Sequence, residues 1–153
     1  MYSHLLNCAC TSKLSTLEFT LAHIVSSVEA TVFVRVVHGS WPDGLRGIFA
    51  ANTNGICDKY TKDIIREKIV LLDSRCEKSP VAGDGEIKLS RCVVSVESSG
   101  TQNVHVKALE GDNKVVERRS SLKALKAGRS HVVLDIGFCK MEVTVAWSLI
   151  SEY

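Results

Sequence analysis

Residues 141 to 150 read MEVTVAWSLI, and the regular exchange of apolar and polar side chains in this stretch constrains the fold more than any other feature. Successive side chains of an extended chain point to opposite faces, so Met141, Val143, Val145, Trp147 and Leu149 share one face. Glu142, Thr144, Ala146 and Ser148 share the other. Each large apolar side chain gains ~1.5–3 kcal/mol on full burial, so that first face has to be covered by a second layer. The segment VEATVFVRVV repeats the pattern, with Val28, Ala30, Val32, Val34 and Val36 set against Glu29, Thr31, Phe33, Arg35 and Val37.

Other strand patterns follow in LEFTLAHI, LRGIFAA, KIVLLD, EIKLSRCVVSVE, NVHVKAL, KVVERRSSLKAL and HVVLDIGF. In EIKLSRCVVSVE a bulge near Arg91 and Cys92 is expected to shift the phase. Gly and Pro punctuation separates the segments at the spacing of sandwiches and barrels, which gives an all-β, antiparallel β-sandwich of about eight strands. The domain is expected to span residues 17 to 153, behind a poorly ordered or unrelated segment 1 to 16. A chain with 45% hydrophobic and 24% charged residues is not disordered, and 153 residues suffice for a core without metal or disulfide staples. The opening MYSHLLNCAC lacks the basic start and apolar run of a signal peptide, and no window suits a transmembrane helix. A cytoplasmic protein with six reduced cysteines is the expectation.

Chemistry-bearing clusters are sparse. Cys8 and Cys10 lack the spacing and second pair of a structural zinc site, and Asp43, Asp58, Asp73 and Asp84 are dispersed turn residues rather than a calcium cage. Cys57 and Cys76 have no catalytic signature around them, and His23, His38, His105 and His131 are scattered singly. No phosphate-binding glycine motif occurs. The residues therefore argue for no enzyme activity, no cofactor and no metal.

Charge is more informative. Lys114, Arg118, Arg119, Lys123, Lys126 and Arg129 face only Glu117 between positions 114 and 131, a local balance of +5 in a chain of net +2. Two roles suit such a segment: holding an anionic partner, protein or RNA, or guarding an exposed sheet edge against pairing. An unguarded edge would lead to self-association. A separate ligand reading places Trp41, in the loop HGSWPDG, as a stacking platform for a small ligand or carbohydrate.

LEFTLAHIVSSVEATVFVRVV, IVLLDSR, GDGEIKLSRCVVSVE and FCKMEVTVAWSLI, taken in this order, resemble a grass domain family of unknown function (domain of unknown function 6598). The resemblance runs from about Leu17 to Ile150, is strongest at VEATV and VTVAWS, and covers the C-terminal half of the family pattern, as in a truncated member. Some relatives are fused to the N-glycosidase of jasmonate-induced ribosome-inactivating proteins, which implies a stress or defence setting. That enzyme carries Glu-Ala-x-Arg on a helix, whereas Glu29, Ala30 and Arg35 lie along a strand here, so depurination is not expected.

Overall fold

A computed structural model describes residues 4–24, 26–53, 57–58, 68–75 and 79–150. Twelve strands occur among them: β1 His4–Thr11, β2 Thr16–His23, β3 Ser27–Gly39, β4 Arg46–Thr53, β5 Cys57–Asp58 and β6 Ile69–Ser74. The series continues with β7 Glu86–Ile87, β8 Val93–Glu97, β9 Thr101–Glu110, β10 Asn113–Lys123, β11 Gly128–Asp135 and β12 Cys139–Leu149. No described residue is helical, so the described residues include no helix long and apolar enough to cross a membrane.

Two antiparallel layers form the sandwich. One is ordered β11-β12-β3-β7, with β8 also on β3, and the other β10-β9-β4-β6. The closing strand β12 finds its partner in β3, from Cys139 opposite Gly39 to Leu149 opposite Val28, with one register shift at Lys140/Met141. Val28, Ala30, Val32 and Val34 of β3 and Met141, Val143, Val145 and Trp147 of β12 are all buried, as the alternation requires. Phe49 and Ala51 of β4, Leu71 of β6 and Val104, Val106 and Ala108 of β9 face them from the second layer. Trp147 also satisfies its indole N–H, which donates to Ser130 Oγ at 2.9 Å. Leu149, expected on the same face, is 42% exposed at the end of β12.

Three details differ from the expectation. EIKLSRCVVSVE is no single bulged strand: β7 and β8 pair with separate stretches of β3. Between them Arg91 N–H turns to the facing layer and donates to the Leu71 carbonyl at 3.0 Å. The count exceeds eight because two-residue strands such as β5 and β7 are too short to show alternation. Third, residues 4 to 11 are a strand, paired with β2 along its whole length and in parallel with β5 at His4 and Leu5. Cys76 and the polar segment 59–67 lie outside the described residues.

Candidate interaction surface

Among the described strands β10 lies at one end of its sheet, paired with β9 alone, and β11 lies at one end of the other sheet. The two strands neighbour each other across the layers and are joined by residues 124–127. One flank of the sandwich therefore consists of two adjacent edges, and the basic segment runs along both.

Register places each charge. Arg119 stands opposite His105, Ser121 opposite Asn103 and Lys123 opposite Thr101, all on the outward face of β10. Arg118, opposite the core residue Val106, is on the other face; it stays exposed because nothing in the sheet lies beyond β10. Its guanidinium donates to the Glu117 carbonyl at 3.0 Å. Lys126 is in the connection, and Arg129 is on the outward face of β11 opposite Ala146. The five residues thus wrap a rim instead of covering one flat face.

Compensation is uneven along that rim. Glu117 accepts from Lys68 at 3.3 Å and Lys114 at 3.5 Å, and Lys68 chiefly holds its carboxyl below the ordinary carboxylate value. Arg119, Lys123 and Arg129 take part in no ion pair among the described residues. The acidic counterpart lies elsewhere. Asp84, Glu86 and Glu142 surround Phe33 and Arg35 in a shallow depression of about 270 Å³ on the outward face of the other layer.

Beside Arg119 the outward face carries a buried polar cluster that the scattered-histidine reading missed. Asn52 and His105 meet through Oδ1 and Nε2 at 2.9 Å, and Ser121 Oγ donates to Asn103 Oδ1 at 2.6 Å. Asn52, Asn103 and His105 are each below 9% exposed. Desolvation first, then the charge of Lys68, pushes the His105 pKa below its ordinary value, so the imidazole is neutral. The signal was present in NVHV, which sets Asn103 and His105 on the face opposite Val104 and Val106.

Trp41 is not a platform. It is 6% exposed, packs edge-on against Phe138 with centroids 5.1 Å apart, and donates its indole N–H to the Leu45 carbonyl at 2.9 Å. Gly47 lies so close beneath the ring that a Cβ there would come within 3.0 Å of it. An open groove of about 520 Å³ runs past Trp41, but the indole faces are spent on the core. This corrects the carbohydrate reading at that residue.

Other sequence candidates stay apart. Cys8 and Cys10 are exposed and free, Cys92 is half-buried, and burial pushes the Cys139 thiol up to about 11. Among the described residues no three His, Cys, Asp or Glu side chains are grouped to hold a metal.

Neither a curated protein nor a solved structure matches the chain. A family model, described as a domain of unknown function (DUF6598), matches residues 1–145. The match begins before Leu17 and so takes in the first sixteen residues. The paired strand β1 agrees with that extent. By this match the chain belongs to the DUF6598 family, a domain family of unknown function.

Proposed function

We propose that this chain is a non-enzymatic interaction module, working inside the cell in stress or defence responses of grasses, that holds an anionic partner against its basic rim. The carrying observation is that Arg119, Lys123 and Arg129, without ion pairs among the described residues, lie on adjacent edge strands of both layers. The biological setting rests on the resemblance to domains fused with jasmonate-induced ribosome-inactivating proteins. Support for a non-enzymatic role comes from placement. Glu29 and Arg35 share the outward face of β3 six residues apart, about 20 Å along an extended strand, too far to act on one base. The buried thiol of Cys139 is protonated at neutral pH, and His105 is engaged with Asn52.

Binding of a labelled polyglutamate probe tests this reading. The triple variant Arg118→Glu, Arg119→Glu, Lys123→Glu is expected to bind at least about tenfold more weakly and to lose the salt dependence of the parent protein. All three side chains are exposed, so the fold should survive, as far-ultraviolet circular dichroism would verify. Equal affinity and equal salt dependence of the two proteins would remove the basic rim from the account.

A further inference from the structure

We propose that the partner is an extended acidic peptide segment that adds to β10 as a further strand of the sheet. This inference rests on the basic-rim reading and specifies the chemistry of the partner.

Backbone supplies the first half of the argument. β10 is eleven residues long, and every register partner it has belongs to β9. Among the described residues the sheet ends there, so alternate N–H and C=O groups of β10 point away from β9 with no described strand to receive them. The register shift between Lys114 and Val116 disturbs the first turn of the edge, leaving Val116 to Lys123 as the regular stretch.

Side chains supply the second half. Lysines and arginines on an edge repel a like-charged strand, which guards β10 against a second copy of itself. Those same charges favour an acidic strand. Rejection of one partner and selection of another are thus the same device, and the two roles of the basic segment are compatible. Directly opposed side chains in an antiparallel pair lie about 4.5–5.5 Å apart at Cβ, within ion-pair reach for Arg and a carboxylate. Arg119 and Lys123 share the outward face, with Ser121 between them, so an added strand meets them with side chains four residues apart. On the other face, Leu122 is buried and Val116 half-buried at the rim of the core. An added strand would set small apolar side chains against that rim. The expected ligand therefore alternates acidic and β-branched residues, a pattern that single-stranded RNA cannot supply.

The test uses the intact chain and a labelled peptide of about ten residues alternating Glu and Val, with four comparison ligands. These are a block-ordered isomer, the same peptide N-methylated on every second amide in either phase, and a single-stranded RNA of similar charge. The alternating peptide is expected to bind at least about tenfold tighter than the block isomer. Methylation should abolish binding in one phase and be tolerated in the other, because only alternate amides face β10. Arg119→Glu with Lys123→Glu should lose this peptide and gain the corresponding Lys-Val peptide, a gain that an unfolded protein cannot show. Equal binding of both methylated forms and the parent peptide would overturn strand addition while leaving the basic rim standing. Preference for the RNA would overturn the peptide class. Indifference of every anionic ligand to charge reversal would overturn the basic rim as well.

Discussion

His105 shows how a single side chain can tie stability to pH. Its folded pKa lies below the ordinary 6.5, with burial the main cause and the positive charge of Lys68 the next. The unfolded chain therefore takes up a proton first, and the stability His105 contributes is present above about pH 6.5 and declines as pH falls below it. Asp73 and Glu117 also have lowered pKa values, but their ordinary values of 3.8 and 4.5 place their losses in a more acidic window. Urea midpoints taken between about pH 7.5 and 5 should fall on acidification, and His105→Gln should flatten that slope. The substitution itself is expected to cost about 1 kcal/mol, the scale of one buried hydrogen bond. An unchanged slope in the variant would assign the pH dependence to another group. Trp41 teaches a different lesson at this scale. The sequence neighbours of a loop tryptophan do not reveal whether its ring faces solvent, because Phe138, which packs edge-on against it, comes from a distant segment.

At the level of strands, alternation made β3, β12 and the core face of β9 legible, since each carries a long apolar series in one phase. β1 was less visible. Its apolar face consists of Leu6, Cys8 and Cys10, opposite Leu21, Phe19 and Leu17, and the pattern emerges only when cysteine is counted with the aliphatics. The β7–β8 break was hidden for another reason: the Leu71 carbonyl that draws Arg91 out of line belongs to a different sheet. The basic segment was plain in the sequence, but its distribution over two edges was not, because that depends on which strands end the sheets. Strand ends carry their own constraint. Gly39 closes β3 at φ +75°, and a Cβ there would collide with the Phe138 carbonyl oxygen and lie 2.9 Å from Cys139 Cα. Gly39→Ala is therefore expected to destabilise the protein by about 1–3 kcal/mol or more, through left-handed strain plus displacement of β12. Gly111→Ala is the control, since Gly111 has φ +58° but open space around it and should cost less. Chemical denaturation of both variants measures the difference; equal losses would mean that the contact with β12 is immaterial.

Across the whole molecule the sheet edges fall into two kinds. The flank formed by β10 and β11 carries Arg118, Arg119, Lys123 and Arg129, whereas β2, the edge of the three-stranded β2-β1-β5 sheet, has no Lys, Arg or Pro from Thr16 to His23. Leu17, Phe19 and Leu21 are 60, 43 and 53% exposed along one face of β2. An edge that is long, apolar and without cationic guards is open to pairing with another chain. The protein is accordingly expected to self-associate as its concentration rises, with reductant present so that Cys8 and Cys10 form no cross-links. Phe19→Lys places a charge in the middle of that edge and should lower the weight-average mass seen by light scattering. Because the residue is exposed, the same change should alter unfolding stability by no more than about 0.5 kcal/mol. Arg119→Glu, made on the guarded flank away from β2, should leave the mass of the protein unaltered. A parent protein that stays monomeric across the concentration series would show that β2 is closed to partners, and association lost equally in both variants would place the contact outside β2.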